Sequence, residues 1–429
     1  MPASRLSIGI VGAGPAGLAA ALFLARSGHV VEIVERFERP APLGSGLLMQ
    51  PTGLTMMHAL GLSERIHALG NRIDRLYGAD ALSGRTVLDV RYDALSGGRY
   101  GLAVHRTALF DTLHDAVGDA GIPIRTGLTI AKAESRHART VLHDADGEIV
   151  GDYDLVVDAS GTRSQLAAAS IAAPAVRDLA WGAFWATVDC GAIDHERHAL
   201  TQRYDAAKVM IGLLPLGQAR TGEGPKAALF WSLKTAGADA VRSAGLARWK
   251  DGILRYWPDM APFLDQITDW DQLTLARYAH RTMLPPQADG IAFIGDSAHS
   301  TSPQLGQGAN MALLDAAALA HALENAETVE AALAAYADAR RAHVRLFQLL
   351  SFVFTLFYQS DSRSIAWLRD RLVATIARIR PAPQILSAIV SGTLVDPFAA
   401  TGIPECDWSA APAGQSTAEP FAVRSSAQV

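Results

Sequence analysis

Hydrophobic residues in the first 35 positions change their period twice, which predicts a strand, a helix and a second strand. Residues 7–11 (SIGIV) and 29–34 (HVVEIV) are short apolar runs typical of buried strands. Between them, residues 18–27 (LAAALFLARS) have the length and composition of a helix, and Gly28 follows as a C-cap. The pattern therefore predicts a β–α–β unit at the start of the chain.

The turn between the first strand and the helix, residues 12–17, reads GAGPAG and matches G-x-G-x-x-G. In such a turn Gly12 permits the tight bend, Gly14 admits a pyrophosphate to the backbone, and Gly17 lets helix and strand pack closely. Glu35 ends the second strand, where a carboxylate accepts hydrogen bonds from ribose hydroxyls. These features predict a dinucleotide site, with a plain glycine turn as the alternative. The remaining candidates of this site are Pro15, Ala16 and Arg36.

A second strand–loop–helix pattern occurs far along the chain. Residues 291–294 (IAFI) predict a strand, and an Ala- and Leu-rich helix is predicted from about Asn310. The loop between them lets backbone amides approach a ligand and directs a helix N-terminus at it. The two loops can share one ligand. The candidates in this second loop are Gly295, Asp296, Pro303, Gly306, Gly308 and Ala309.

The chain between these two loops predicts further strands and an inserted sheet. Residues 153–159 (YDLVVDA) predict a third buried strand that contains Asp158, and Arg106 precedes a helix predicted at 108–120. Alternating segments rich in Trp, Phe and Val predict an antiparallel sheet. These segments are 181–188, 209–215, 227–233 and 273–280, and residues 74–101 predict a hairpin-like excursion.

The elements together predict an α/β protein with a discontinuous Rossmann-type domain and an inserted mixed or antiparallel sheet. The predicted Rossmann-type domain covers 1–75, 100–175 and 282–345; the sheet domain covers 76–99 and 176–281; a helical region covers 346–409; and a disordered tail covers 410–429. The run at 346–358 (LFQLLSFVFTLFY) is 13 residues long, shorter than the roughly 20 that a membrane span needs. A core helix, a channel wall and a membrane-surface contact all remain open for it.

Composition narrows the class of protein. The chain has 429 residues, is 49% hydrophobic, and carries 38 basic against 43 acidic side chains, a net charge of −5 that does not suggest nucleic acid. Cys190 and Cys406 form no motif, which favours a reducing cytoplasm and no cysteine metal site. We expect no metal and no membrane span, and the sequence leaves a monomer and a homodimer open.

The strand-end motifs in this order resemble the flavin-dependent aromatic hydroxylases, the p-hydroxybenzoate hydroxylase-like (group A) monooxygenases. The resemblance covers about residues 5–345. Its motifs are specific to the superfamily and not to one substrate. It rests on Gly12, Gly14, Gly17, Glu35, the 158–164 segment, Gly295, Asp296 and residues 303–310, with Arg106, Asp315, Tyr336, Arg340 and Arg341 also fitting the pattern.

The resemblance implies an FAD enzyme. In it residues 12–17 hold the pyrophosphate and Glu35 the adenosine ribose. Arg106 lies along the ribityl chain or the flavin ring, and Asp296 binds the ribityl or pyrophosphate region. Pro303 packs by the isoalloxazine, and residues 306–310 bring a helix N-terminus to flavin O2, where it stabilises the reduced flavin anion. The implied reaction is hydroxylation or epoxidation of an aromatic or lipophilic molecule through a C4a-hydroperoxyflavin, with NAD(P)H and O2.

One departure from the family pattern concerns the middle motif, which usually reads Ala-Asp-Gly-x-x-Ser-x-x-Arg. Here Ser160 takes the Asp place and Ala167 the final Arg place. This segment is linked to both FAD and NAD(P)H in the family, so the departure bears on direct reduction by NAD(P)H more than on FAD binding. Several alternatives to the implied reaction stay open. They are another flavin redox enzyme (reductase, oxidase or halogenase-like), reduction by a partner protein, and a non-catalytic nucleotide-binding protein.

Candidates for the reaction centre are fewer. Pro303 and His299 are the only catalytic candidates, and His299 has a plain loop residue as its alternative reading. Alternation places Trp181 and Trp185 on one face of the inserted sheet. The predicted substrate-pocket residues are Trp181, Trp185, Tyr204, Trp231 and His280, each with a structural role as the alternative.

Overall fold

The computed structural model describes residues 5–39, 41, 44–170, 175–373, 377 and 379–409. The predicted disordered tail, 410–429, lies outside the described residues. The strands are β1 (Ser7–Val11), β2 (Val30–Val34), β3 (Gly46–Met49), β4 (Asn71–Ile73), β5 (Arg75–Asp80), β6 (Thr86–Arg91), β7 (Gly101–His105), β8 (Ile124–Arg125), β9 (Ile130–Arg136), β10 (Arg139–Asp144), β11 (Ile149–Tyr153), β12 (Leu155–Asp158), β13 (Arg177–Asp189), β14 (Ala199–Asp205), β15 (Val209–Gly217), β16 (Lys226–Lys234), β17 (Thr274–His280), β18 (Gln287–Ala288) and β19 (Ile291–Phe293).

Thirteen α-helices connect and cover these strands in the described residues. They are α1 (Pro15–Arg26), α2 (Pro51–Ala59), α3 (Ser63–Leu69), α4 (Arg106–Asp119), α5 (Gln165–Ala169), α6 (Ala238–Ser243), α7 (Leu246–Tyr256), α8 (Ala261–Leu264), α9 (Asp296–His299), α10 (Gly308–Asn325), α11 (Val329–Tyr358), α12 (Arg363–Leu368) and α13 (Ala382–Ser391). A π-helical turn follows α12 at Arg369–Val373.

A six-stranded sheet forms the base of the first domain, in the order β18-β19-β12-β1-β2-β8. The strands β19, β12, β1, β2 and β8 run parallel. The inner strands β1 and β12 are apolar and largely buried, as expected of parallel strands that are covered on both faces. Because β1, β12 and β19 are adjacent and parallel, the three motifs that follow them meet at one edge. That edge is where ligands bind in open α/β sheets.

A seven-stranded sheet forms the second layer of the molecule, in the order β17-β13-β16-β15-β14-β5-β6. Neighbouring strands are antiparallel except β14 and β5, which pair in parallel. The hairpin β5–β6 from the predicted excursion therefore joins the inserted sheet. The predicted fold class is confirmed, while the residue boundaries of the two domains stay a prediction.

Helices α1, α4 and α10 and the start of α11 share one buried apolar core with the first sheet. Helix α1 begins at Pro15, three residues before the predicted start, because proline is favoured at the first helical position. Helix α10 begins at Gly308, beside the predicted start at Asn310. The apolar run 346–358 forms the last part of the 30-residue helix α11.

Candidate functional site

A cavity of about 720 Å³ lies between the carboxyl edge of the six-stranded sheet and one face of the seven-stranded sheet. Its lining runs from Gly12 and Glu35 at one end to Leu386 and Val390 of α13 at the other. We call the first part the nucleotide end and the part walled by the seven-stranded sheet, α11 and α13 the substrate end.

The first glycine loop fits its predicted geometry. Gly12 has φ +106°, and a Cβ there would lie 2.7 Å from the carbonyl oxygen of Ala159. A Cβ on Gly17 would lie 1.9 Å from the carbonyl oxygen of Gly12, so only glycine permits this approach of helix to strand. Gly14, in contrast, faces open space on the cavity side. Gly17 itself lies behind the cavity, in the packing role expected of it.

Glu35 stands at the end of β2 and is buried at the cavity wall. Its Oε2 accepts a hydrogen bond from the Ala13 amide at 2.7 Å, and its Oε1 accepts one from the Phe37 amide at 3.0 Å. Arg36 also lines the cavity, with its guanidinium 4.6 Å from the centroid of the Phe37 ring. A carboxylate held in this way retains acceptor capacity for a sugar hydroxyl.

Asp158 does not line the cavity, contrary to the sequence-based prediction. It is fully buried beneath the loop that follows β12, where its Oδ1 accepts from the Ser160 amide at 2.9 Å and the Ser160 hydroxyl at 2.6 Å. Its other oxygen accepts from the hydroxyl of Ser164. Burial raises the pKa of Asp158, and these hydrogen bonds oppose the rise. Asp158 shapes the loop, and Ser160 reaches the cavity in its place.

Arg106 and Asp296 bring opposite charges to the cavity. Both side chains are open to the cavity space while lying deep among protein atoms. Burial lowers the pKa of Arg106 and raises that of Asp296, and in each case the partner's charge acts in the opposite direction. Thr162 completes the cluster with a 3.5 Å hydrogen bond to Asp296.

His299 is buried behind the second loop and does not line the cavity, which contradicts its choice as a catalytic candidate. Its Nε2 lies 2.5 Å from Oδ2 of Asp315, while Nε of Arg340 donates to Oδ1 at 2.8 Å. The Gly295 amide also donates to Asp315 at 2.9 Å. Although burial alone would raise it, the pKa of Asp315 is held at about 2 by His299 and Arg340. This cluster fixes the turn at Gly295, which itself lies behind the cavity.

The second loop presents Pro303, Gly306, Gly308 and Ala309 to the cavity, as predicted. The N-terminus of α10 opens there, and the first N–H groups of a helix have no carbonyl partner within it. Asn310 was predicted to bind the cofactor, but its side chain does not line the cavity. Its amide accepts from the Gln50 backbone at 2.8 Å and donates to the carbonyls of Leu48 and Gly306, so it ties β3 to the loop.

The substrate end is walled by aromatic and aliphatic side chains. Trp185 and Phe230 are opposite each other on β13 and β16, with ring centroids 4.6 Å apart. The Trp185 indole donates to the Tyr278 hydroxyl at 2.9 Å, and the Tyr204 hydroxyl donates to Gln202 at 2.8 Å. Burial raises the pKa of Tyr278 to about 12, against the effects of Trp185 and Arg106, so its phenol stays protonated.

Three of the five predicted pocket residues lie elsewhere. Trp181 lies four residues before Trp185 on β13 and does not line the cavity; the Lys234 ammonium lies 5.9 Å from the centroid of its ring. Trp231 points to the opposite face of the sheet, where it contacts Trp249 of α7. His280 accepts a 3.3 Å hydrogen bond from the Ser302 amide and supports the second loop.

Several cavity residues were missed by the sequence analysis. Gln50 is fully buried; its Oε1 accepts from the Tyr92 hydroxyl at 2.5 Å, and its Nε2 has no partner among the described residues. Strand alternation with Trp185 and Tyr204 was the available signal for Phe230 and Tyr278 on neighbouring strands. Nothing local pointed to the contributions of α11 and α13, which are Phe354, Tyr358, Leu386, Ile389 and Val390.

A flavin dinucleotide fits the donor set of the nucleotide end. Two helix N-termini, those of α1 and α10, open onto one continuous cavity. Gly14 leaves room for a phosphate at the first of them, and Glu35 offers carboxylate oxygens beside it. Among the described residues no group of His, Cys, Asp and Glu side chains could hold a metal ion.

Comparison with known proteins agrees with this geometry. Residues 5–348 match the family model described as FAD binding domain. The 3-amino-4-hydroxybenzoate 2-monooxygenase of Streptomyces cremeus is 28% identical over 334 residues, which cover 74% of this chain and 79% of that protein. The aurachin C monooxygenase/isomerase of Stigmatella aurantiaca is 26% identical over 393 residues, covering 87% of this chain and 95% of that one.

A solved structure shows the same fold. The structure of Klebsiella pneumoniae HpxO complexed with FAD and uric acid superposes with a TM-score of 0.75 at 20% identity, covering 91% of this chain and 98% of that one. The predicted FAD dependence, the monooxygenase class and the likeness to the group A aromatic hydroxylases are confirmed. The chain belongs to the FAD-binding domain family, among the flavin-dependent aromatic hydroxylases that its strand-end motifs resemble.

Proposed function

We propose that this enzyme inserts one oxygen atom from O2 into an uncharged, lipophilic aromatic molecule, by hydroxylation or epoxidation, with NAD(P)H as reductant. The observation that supports it most is the two-part cavity, which has helix N-termini at one end and an apolar aromatic wall at the other. Relatives named as a monooxygenase and a hydroxylase of hydroxybenzoates support an aromatic ring in the substrate, and the apolar wall of this chain's cavity argues against the carboxylate that those substrates carry.

The nucleotide end would hold FAD by backbone groups and a few side chains. The loop at Gly12–Gly14 and the N-terminus of α1 would bind the pyrophosphate, and Glu35 the ribose. When bound, FAD supplies electron transfer from the nicotinamide to O2. Arg106 and Asp296 orient polar groups between the two ends, and the free N–H groups at the start of α10 stabilise negative charge that develops beside them.

The substrate end favours an uncharged molecule. Of the described cavity residues contributed by the seven-stranded sheet, only Arg277 carries a charge, and it is an exposed residue of the edge strand β17. Moving a neutral polar group into an apolar site without a hydrogen-bond partner costs about 2–7 kcal/mol. An ionised carboxylate without a paired cation costs more. The wall therefore selects against anionic substrates and holds apolar rings by burial.

Two hydrogen-bond donors give the substrate end its polarity. Nε2 of Gln50 is buried at the cavity wall without a partner, because the Tyr92 hydroxyl occupies the oxygen of the same amide. The protonated phenol of Tyr278 accepts from Trp185 and has its own proton free to donate. A carbonyl or phenol oxygen on the substrate would satisfy both donors and position the ring.

NAD(P)H remains the proposed direct reductant despite Ser160 and Ala167. The 158–164 loop keeps a defined shape through Asp158, and Ser160, Thr162 and Arg163 face the cavity. A cytoplasmic setting is also proposed, supported by the free thiols of Cys190 and Cys406.

The purified protein tests this function directly. A flavin absorbance spectrum, with NADH or NADPH oxidation and O2 uptake stimulated by neutral phenols or quinolones but not by benzoates, is the expected result. Flavin that neither nicotinamide reduces anaerobically would favour reduction by a partner protein. Oxidation of NAD(P)H that yields only hydrogen peroxide with every aromatic compound would contradict the monooxygenase.

A further inference from the structure

The last turns of α11 have two apolar faces. The inner face lines the substrate end through Phe354 and Tyr358. The outer face carries Leu349, Phe352 and Leu356, spaced three and four residues apart, and the exposed fractions of the first two are 59% and 47%. A helix that only closed the core would be polar on its outer face.

The outer stripe of α11 changes character along the helix. Its earlier positions are the exposed Asp338, Arg341 and Arg345, of which the first two form an ion pair. From Leu349 to Leu356 the same stripe is apolar over about 10 Å, at 1.5 Å per residue. The apolar part is therefore a local feature and not a property of the whole helix.

The elements that follow α11 along the chain carry further exposed apolar side chains. The exposed fraction is 63% for Trp367 and 62% for Ile379. Arg369 donates to the carbonyl of Phe357, which fastens the turn after α12 to the end of α11. Helices α11 and α13 meet in one buried cluster through Phe347 and Ile389. We define the C-terminal apolar surface as Leu349, Phe352, Leu356, Trp367, Leu368, Ile379 and Ile385, which are seven of the thirteen large exposed hydrophobic side chains among the described residues.

The charges around this surface are unbalanced in favour of arginine. The acidic neighbours are already paired, Asp361 with Lys234 at 2.6 Å and Asp370 with Arg369 at 2.7 Å. Arg345 and Arg380 are exposed, and neither has a carboxylate partner in the part of the chain that the structure describes. An apolar surface bordered by tryptophan and arginine is the composition of a helix that lies in a membrane interface.

We propose that the C-terminal apolar surface docks onto an anionic lipid bilayer. A helix with one exposed apolar stripe lies in the plane of the membrane interface, with that stripe about 5–10 Å within the headgroup boundary. No described helix is long and apolar enough to cross a membrane, so the contact is one of surface and not of span. A second copy of this chain is a less suitable partner for the surface. A symmetric dimer through this surface would bring Arg345 and Arg380 close to the same arginines of the other copy, with no acidic partners for them.

The position of the surface adds a consequence that rests on the proposed function. Helices α11 and α13 separate the cavity from the docking surface, with Phe354 and Leu386 on the inside and Phe352 and Ile385 on the outside. A lipophilic aromatic substrate dissolved in the bilayer would then reach the cavity between these helices without crossing water.

Sedimentation of the full-length protein with vesicles tests the docking. We expect binding to vesicles of phosphatidylcholine and phosphatidylglycerol in equal parts, and weaker binding to phosphatidylcholine alone. The variant Leu349→Ser/Phe352→Ser/Leu356→Ser should bind at least about tenfold more weakly, because it removes the inserted apolar area. Ile149→Ser, which removes an equally exposed hydrophobic side chain from β11, should bind as the native protein does.

A double arginine variant and a measurement of the oligomeric state complete the test. Arg345→Gln/Arg380→Gln should lose the preference for phosphatidylglycerol. Absence of binding to both vesicles, equal binding of the triple variant, or a native dimer that the triple variant converts to monomer would overturn the proposal. Vesicle binding is measured without turnover, so its failure leaves the proposed hydroxylation intact. Likewise, a protein that binds vesicles without oxygenating any substrate would fail only the proposed function.

Discussion

The two ends of the cavity are lined by different chemical groups. The nucleotide end consists of glycine loops and helix N-termini, and the buried side chains of His299, Asp315 and Arg340 hold the second loop in place from behind. The substrate end consists of side chains from seven strands and two helices, and Arg277 is the one charged residue that the described part of the sheet contributes to it. Under the proposed function the first end would recognise phosphates and sugar through backbone groups, whereas the second would select its substrate by shape, apolar area and two neutral donors.

This difference predicts that variants at the two ends fail in different ways. Changes at the nucleotide end should remove cofactor, stability and activity together. Changes at the substrate end should leave FAD binding intact and alter only the substrate's KM. The variants below test this separation, from the largest expected effect to the smallest.

Arg340→Met should have the largest effect. It leaves the fully buried Asp315 with His299 and the Gly295 amide but without its guanidinium. Removing one partner of a buried pair costs about 3–5 kcal/mol, which urea unfolding would measure. Arg341→Met breaks the exposed neighbouring pair with Asp338 and should cost less than about 1 kcal/mol. Equal losses in the two variants would contradict the locking role of the buried cluster.

Gly17→Ala should cost up to about 3 kcal/mol and abolish FAD retention, because the new Cβ would meet the Gly12 carbonyl oxygen at 1.9 Å. The flavin absorbance per mole of protein measures FAD retention, and thermal unfolding measures the loss of stability. Gly118→Ala in α4 meets nothing within 4 Å and should raise stability slightly. A Gly17→Ala protein with full flavin content would show that the loop does not depend on this close approach.

Acid should destabilise the cluster behind the second loop. The pKa of Asp315 is about 2 in the folded protein against an ordinary 3.8. Its carboxylate therefore contributes stability that is fully present above about pH 4 and is lost as the pH falls towards 2, about 2 kcal/mol in all. The slope of the unfolding free energy with pH in this window should be smaller in Asp315→Asn. Identical slopes in both proteins would show that Asp315 has an ordinary pKa.

The smallest effect is expected at Gln50. The double variant Gln50→Leu/Tyr92→Phe removes the free amide donor without leaving the Tyr92 hydroxyl unsatisfied, and it should raise the substrate's KM about tenfold with unchanged FAD affinity. Tyr92→Phe alone keeps the donor and is the matched control. A loss of FAD affinity in the double variant would place Gln50 at the nucleotide end instead.

The same contrast explains what could be predicted from sequence. The nucleotide end was predictable because its motifs are contiguous and each follows a strand, and parallel pairing then brought Gly12, Ser160 and Asp296 to one edge. The identities of the groups behind the loops were not predictable. His299, Asp158 and Asn310 are polar residues within these motifs, but their side chains hold the loops and do not face the ligand.

The substrate end was predicted only in outline. Alternation gave the shared face of Trp181 and Trp185 but not how far along their strand the cavity extends, and Trp181 lies outside the cavity. The sequence could not tell that Trp231 packs under α7, since both sheet faces are rich in aromatic residues. Gln50 and α13 reach the cavity only through tertiary packing.

The central claim is that the substrate end oxygenates an uncharged aromatic ring beside the flavin. It is tested most directly by mass spectrometry of products formed from isotopically labelled dioxygen, with two phenols that differ only in bearing a methyl ester or a carboxylate. The account predicts that the ester acquires one labelled oxygen atom in an NAD(P)H-dependent reaction and that the acid does not. Preferred labelling of the acid, or labelled hydrogen peroxide with no labelled product from either phenol, would contradict it.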